Sequence, residues 1–290
     1  MNPFDAWLSA GPLLTDGAWG TELQARGLEP GRNPDHWNLE HPGRVEEVAR
    51  TYAEAGCDII LTNTFRSNRI ALGEGSGALA VELNRAGVEI SRRAARGRCR
   101  VVASLGPSGK MLSAGDVTPG EITEAFAEQA AALAHADALL IETMSDVEEA
   151  CLALRAALPI GLPVIVSFVF DAGRNKDRTM TGATPEQAAA AVEAAGASAV
   201  GANCGSGIAA FAPLCSRLHA ACTLPLWIKP NAGLPEIVDG LAVYRTTPAE
   251  FAAHASPLVA SGAGFLGGCC GTNVEFIRAL GAELKRCASN

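Results

Sequence analysis

Eight short apolar runs, recurring along 290 residues, constrain this chain more than any other feature. They fall at 12–15, 58–62, 100–104, 138–141, 164–168, 198–202, 225–229 and 264–267. Each is too short for a helix. Several are rich in Val and Ile, and Gly or Pro often flanks them, which is the pattern of strands buried on both faces. Helical spacing fills the intervals: over 121–135, Ile122, Phe126, Ala130 and Leu133 share one face. Five helix starts have the form of a capping box, in which a Ser or Thr oxygen accepts a free backbone N–H and a Glu or Gln reaches back. They pair Thr118 with Glu121, Ser145 with Glu148, Thr184 with Gln187, Thr247 with Glu250 and Thr272 with Glu275. Eight strand–helix units averaging about 36 residues predict an α/β fold with one domain over 1–290, a single (β/α)8 TIM barrel. An open doubly wound sheet is the alternative, but Asp16-Gly17-Ala18-Trp19-Gly20 after the first run lacks the G-x-G-x-x-G spacing of a dinucleotide-binding turn. The glycine-rich stretch 73–77 reads as a loop opening a helix.

Composition narrows the class of partner. The 23 Lys and Arg stand against 31 Asp and Glu, a net charge of −8, which argues against a nucleic-acid backbone or an anionic membrane. Hydrophobic residues at 48% and charged ones at 19% describe a globular chain. No window reaches the ~18 uninterrupted apolar residues of a membrane span. Met1-Asn2-Pro3-Phe4-Asp5 lacks the basic start and apolar run of a secretory leader, so a cytoplasmic protein is expected. Nine cysteines without such a leader read as thiols, metal ligands or small hydrophobes rather than a disulfide framework. Six of them, Cys57, Cys99, Cys151, Cys215, Cys222 and Cys287, sit in apolar or helical surroundings and read as structural.

In a (β/α)8 barrel the C-terminal strand ends and the loops after them form the active site. Here they carry Asp16-Gly17, Asn63-Thr64, Gly106-Pro107, Glu142-Thr143, Cys204, Asn231 and Cys269-Cys270, from seven strands converging on one mouth. The sharpest signal is Gly201-Ala202-Asn203-Cys204-Gly205 together with Gly267-Gly268-Cys269-Cys270-Gly271-Thr272. One cysteine follows the sixth strand and two follow the eighth. Three thiolates can fill three corners of a tetrahedral Zn²⁺ site and leave the fourth open, as catalytic zinc requires. Glycines on both sides let the backbone bend closely around such an ion. A vicinal disulfide and inert buried thiols are the other readings of this spacing. Paired acids such as Asp16 and Glu142 also suit general acid–base chemistry of the glycosidase kind, a reading the cysteine trio disfavours.

These cysteine motifs are similar to those of the homocysteine S-methyltransferase family. The resemblance extends through Leu14-Thr15-Asp16-Gly17-Ala18-Trp19-Gly20-Thr21, Leu61-Thr62-Asn63-Thr64-Phe65, Ser104-Leu105-Gly106-Pro107, Ile141-Glu142-Thr143, Met180-Thr181-Gly182 and Lys229-Pro230-Asn231-Ala232-Gly233, nearly the whole chain. The segment Trp37-Asn38-Leu39-Glu40-His41-Pro42 and the length resemble in particular the short bacterial betaine–homocysteine methyltransferases. The chain also resembles the homocysteine domain of cobalamin-dependent methionine synthase. It is expected to lack that enzyme's folate and cobalamin domains, and the C-terminal oligomerisation arm of the mammalian betaine enzymes.

The resemblance implies a (β/α)8 barrel in which Cys204, Cys269 and Cys270 bind Zn²⁺ and homocysteine sulfur takes the open position as a thiolate, with Glu142 completing the catalytic set. Asp16 and Glu142 would accept from the substrate ammonium, while the Gly17 N–H and the Thr64 hydroxyl address its carboxylate. Asn231 matches a position near the metal that supplies an oxygen ligand when substrate is absent. A quaternary ammonium is usually held against aromatic faces. Where mammalian betaine enzymes carry tyrosines, this chain has Arg66 and Thr143, so Trp19, Trp37 and Phe65 are the expected replacements. Betaine is the first expected donor, with S-methylmethionine or dimethylsulfoniopropionate second. The alternatives are methyl delivery by a separate corrinoid protein and a non-catalytic zinc–thiolate sensor. Small molecules are the expected partners, and a homo-oligomer is left open.

Overall fold

The computed structural model describes residues 2–238 and 241–288, so residues 1, 239–240 and 289–290 of the expected 1–290 domain lie outside the described residues. All eight apolar runs are strands: β1 (Leu13–Leu14), β2 (Ile59–Leu61), β3 (Arg100–Leu105), β4 (Ala138–Met144), β5 (Val164–Phe168), β6 (Ala199–Cys204), β7 (Leu226–Pro230) and, after a small hairpin, β10 (Ala263–Leu266). Neighbours in the order β1-β10-β7-β6-β5-β4-β3-β2 pair in parallel. A parallel bridge from Thr15 to Ile59 joins the first strand to the second and brings the sheet round into a barrel. Helices connect successive strands, as a parallel sheet demands, and none among the described residues is long and apolar enough to cross a membrane.

Strand parity places the site. Successive side chains point to opposite faces, and the interior cluster takes alternate positions: Leu13, Ile59, Val102, Leu140, Ile165, Ala199, Trp227 and Phe265. The residues between them, such as Ile60, Val101, Leu139, Val164, Val200 and Ile228, pack outward against the helices. Two residues beyond the interior apolar layer, the same parity brings Thr15, Ser104, Glu142, Ser167 and Lys229 inward, and four beyond Ala199 it brings Asn203; all six are buried. The N-terminal segment closes the other end. There Phe4 packs edge-on against Phe265 at 5.2 Å and Trp7 at 4.9 Å, and Asn2 Nδ2 donates to Ser198 O at 2.8 Å.

Three of the five expected capping boxes form in both directions, at Thr118, Thr184 and Thr247. The helix expected over 121–135 runs from Pro119 to Ala132. The other two starts shift by one residue. Asp146 caps the helix Val147–Ala157, and Asn273 Oδ1 accepts from Glu275 N at 3.0 Å and Phe276 N at 3.4 Å. Thr272 is instead drawn into the interior, where its hydroxyl donates to Cys269 O at 2.7 Å and accepts from Ala18 N at 3.2 Å. The antiparallel hairpin β8 (Glu236–Val238) and β9 (Leu241–Val243) is an insertion beyond the eight expected strands. Its signal in the sequence is Asp239-Gly240 between Ile237-Val238 and Leu241-Ala242-Val243.

Candidate metal and substrate site

Cys204 closes β6, and Cys269 and Cys270 follow β10 across the intervening β7. Backbone bonds tie the three loops together: Asn231 N donates to Cys204 O at 3.2 Å, Cys269 N to Pro230 O at 2.8 Å, and Ala232 N to Cys270 O at 3.0 Å. Bare backbone at two glycines permits the approach. A Cβ on Gly267 would lie 2.0 Å from Thr15 Oγ1, and one on Gly268 would lie 2.4 Å from Thr272 Oγ1. The result is a cluster whose three Sγ atoms lie within 4.8 Å of one another, with Cys204 and Cys269 Sγ 3.1 Å apart. Cys204 and Cys269 thiols both bond to Cys270, which holds it far below the ordinary thiol range, at about 3. Cys204 is pushed well above that range by its bonds to Cys269 and Cys270.

Thr143 (φ 63°) and Cys204 (φ 61°) both occupy the left-handed region, which side chains other than glycine rarely adopt and which marks a conformation enforced by its surroundings. Asn203 supplies much of that enforcement. Its Oδ1 accepts from Thr143 N at 2.9 Å and Ser167 Oγ at 2.7 Å, and its Nδ2 donates to Thr143 Oγ1 at 2.7 Å and Cys204 Sγ at 3.6 Å. Asn203 was not among the expected site residues; its parity with Ala199 is the signal that points it inward.

The cysteines open into a cavity of about 400 Å³, whose walls also include Gly17, Trp19, Phe65, Arg66, Asp35, Glu142, Thr143 and Lys229. Glu142 accepts from Ser104 Oγ at 2.5 Å. Burial pushes its carboxyl up to about 7, the charge of Cys269 adds to this, and Lys229 opposes it. Asp35 is buried, with Oδ2 accepting from Arg66 N at 2.6 Å and Ser67 Oγ at 2.8 Å; burial pushes it up to about 7 as well.

Of the expected residues, Cys204, Cys269, Cys270, Glu142, Gly17, Trp19 and Phe65 line this cavity. Four others do not. Asp16 is fully buried: Oδ1 pairs with Lys229 Nζ, and Oδ2 accepts from Trp19 Nε1 at 2.8 Å and Leu61 N at 2.7 Å. The Thr64 hydroxyl donates to Ser104 O at 2.7 Å and bonds to Thr62 Oγ1 at 2.6 Å, so it is occupied by the fold rather than open to a carboxylate. Trp37 is a correction to the aromatic-cage expectation. It is 2% exposed, edge-on to His41 and beneath the Arg44 guanidinium, because the helix bearing it faces the hydrophobic layer. Asn231 donates through Nδ2 to Gly205 O at 3.0 Å, and its buried Oδ1 has no hydrogen-bond partner.

The donor set fits a soft divalent cation: three convergent sulfurs with an orphaned buried carbonyl oxygen on a residue bonded to the cysteine loop. The remaining six cysteines are free thiols, and burial pushes Cys57 well above and Cys215 up to about 12, in keeping with structural roles.

Comparison with known proteins agrees with this geometry. The sequence profile described as homocysteine S-methyltransferase matches residues 13–284. Two proteins named methionine synthase, from Mycobacterium leprae and Mycobacterium tuberculosis, are each 33% identical over 95% and 96% of this chain. The chain spans about a quarter of their length, 24% and 25%. Among solved structures, the metallated form of the Escherichia coli homocysteine methyltransferase MmuM superposes with a TM-score of 0.80 at 25% identity, covering 97% of this chain and 99% of that one. The oxidized form of MmuM gives a TM-score of 0.81 at 26% identity with the same coverage.

Proposed function

We propose that this chain, which belongs to the homocysteine S-methyltransferase family, moves a methyl group from a small onium donor to the sulfur of L-homocysteine, giving methionine, with Zn²⁺ held by Cys204, Cys269 and Cys270. The observation that carries this reading is the convergence of three sulfurs within 4.8 Å on the wall of a cavity that also exposes a buried carboxylate, Glu142. A thiol of ordinary pKa near ~8.5 is mostly protonated at neutral pH and is a poor nucleophile. Bound zinc would keep the substrate sulfur as a thiolate. The protein's own groups then serve to position the reactants. Glu142 accepts from the substrate ammonium, and the Gly17 N–H donates to its carboxylate. Asn231 Oδ1 would serve as the oxygen ligand when substrate is absent, in keeping with its lack of any hydrogen-bond partner.

The donor reading rests on the loop wall. Trp19 and Phe65 offer aromatic faces to a cation. Asp35 and Arg66, beside them, complement an onium centre and a donor carboxylate. Betaine is the first candidate, S-methylmethionine or dimethylsulfoniopropionate the second. A sensor module has no need of a pocket for an amino acid, so the cavity favours the enzyme over that alternative. A second reading, methyl delivery by a separate methyl-corrinoid protein, draws on the likeness to two proteins named methionine synthase.

Purified protein loaded with zinc, given homocysteine and a panel of donors, tests both. Methionine formed with a free onium compound supports the first reading. Turnover with a methyl-corrinoid alone replaces it with the second.

A further inference from the structure

Asn203 is a fully buried amide one residue before Cys204, and the proposed function gives it no part in the chemistry. The register between β4 and β5 shifts between Ile141 and Met144, and within that irregularity the Thr143 N–H donates to Asn203 Oδ1 at 2.9 Å. A backbone N–H can only donate, so this contact fixes which end of the amide is oxygen. Ser167 Oγ donates to the same Oδ1 at 2.7 Å. Nδ2 must then face the cysteines. It donates to Thr143 Oγ1 at 2.7 Å, and its other hydrogen serves Cys204 Sγ at 3.6 Å and Cys269 Sγ at 4.0 Å. Two acceptor sites and two donors are the whole capacity of a carboxamide. All four are in use, so the amide cannot turn without leaving a buried polar group unfilled. Among the described residues no bond from Asn203 reaches Cys270.

The proposed chemistry sets up a competition that such an amide can decide. With zinc and homocysteine bound as proposed, a methyl donor would meet one substrate sulfur and three cysteine sulfurs. Any of the four could form the new S–CH₃ bond with a lone pair while the donor's heteroatom leaves with the bonding pair. Methylation of the substrate releases a product. Methylation of a cysteine converts a charged metal ligand into a neutral thioether that stays on the chain. An N–H placed on a thiolate engages one of its lone pairs and draws off charge, which lowers its nucleophilicity without displacing it from a metal.

We propose that Asn203 is a positioning residue that holds Cys204 and Cys269 as metal ligands while damping their reactivity toward the methyl donor, so that transfer is directed to the substrate sulfur. The proposal rests on the zinc–thiolate reading and is independent of the donor.

Treating zinc-loaded protein with iodomethane in the absence of homocysteine, and following each cysteine by peptide mass spectrometry, tests it. In each event a sulfur lone pair forms the S–CH₃ bond, the C–I bond breaks and iodide leaves. Asn203→Ala should raise the rates at Cys204 and Cys269 relative to Cys270 about threefold to tenfold, the range for one neutral hydrogen bond. Thr143→Val, which cuts the hydroxyl contact but leaves the amide facing the sulfurs, should keep the wild-type ratio. Cobalt(II) in place of zinc gives a second readout: the sulfur-to-metal charge-transfer band should move to lower energy in Asn203→Ala and stay in place in Thr143→Val. Should Asn203→Ala fail to fold or to hold metal, Asn203→Asp, which keeps the acceptors for Thr143 and Ser167 and removes the donor, provides the same comparison. A ratio unchanged on loss of the amide, or rates that rise in parallel at all three cysteines as a merely loosened loop would give, overturns the proposal and leaves the zinc reading intact. Wild type that takes up neither zinc nor cobalt overturns both.

Discussion

The lower and upper halves of the barrel interior come from the same strands with the same parity, yet they are built for opposite ends. Below, Leu140, Ile165, Trp227 and Phe265 fill the space with apolar side chains, sealed by Phe4. Above, Glu142, Ser167, Lys229 and Asn203 follow at even offsets on β4, β5, β7 and β6, and each is tied to a polar partner on another strand or loop. Burying polar groups is tolerable only when they are partnered. In the upper half Thr15 Oγ1 and, in the loop after β7, Asn231 Oδ1 are left without a partner among the described residues, and the Lys229 ammonium has only Asp16.

Substitutions in the two halves should separate stability from function. The largest effect is expected at the sulfurs: Cys204→Ala, Cys269→Ala and Cys270→Ala should each reduce bound zinc and take activity to background, read by metal analysis alongside turnover. In the lower half, Leu140→Ala should cost about 2–5 kcal/mol of stability and leave metal content unchanged. Full activity in a metal-free triple cysteine variant breaks the comparison.

Oxidation comes next. With Cys204 and Cys269 Sγ 3.1 Å apart, mild peroxide on metal-free protein should join two of the three cysteines, so that added zinc restores activity only after treatment with a thiol reductant. Mass spectrometric mapping that finds modification only at the other six cysteines contradicts this.

Glu142→Gln should keep zinc yet weaken homocysteine binding about 10- to 100-fold. Unchanged affinity removes Glu142 from the amino-acid pocket. The same variant sharpens a pH argument. Burial raises Glu142 from 4.5 and Asp35 from 3.8, each to about 7. Between those limits the folded metal-free protein holds protons that the unfolded chain has released. Stability should therefore fall as pH rises through this window, with the full penalty present above it. Urea midpoints across the window should fall less steeply in Glu142→Gln than in wild type, and Asp35→Asn should remove a further part of the slope.

The smallest effect concerns the aromatic wall. Trp19→Ala should raise the KM for an onium donor about threefold to tenfold, while Trp37→Phe, outside the cavity wall, should leave it unchanged. A donor KM that responds to Trp37 and not to Trp19 reverses the placement of the two rings.

Strand number, strand order along the chain and the cysteine trio were all legible because they depend on local pattern. A buried parallel strand announces itself by a short apolar run, and a capping box by residues three apart. The two caps displaced by one residue, at Asp146 and Asn273, show the limit of that locality. At the second, Thr272 fits the box in sequence, but its hydroxyl is claimed by Cys269 and Ala18. The β8–β9 hairpin is short enough that only its Asp-Gly pair signals it.

By itself the sequence determined which side chains enter the barrel, since a period of two along each strand leaves them no choice of face. Only the tertiary structure decided which of those side chains remain available to a ligand. Asp16 meets Lys229 across 213 residues, Thr64 meets Ser104 across 40, and Asn203 meets Thr143 across 60. Hydrogen-bonding capacity is a property of neighbours in space, and closing the barrel assigns those neighbours.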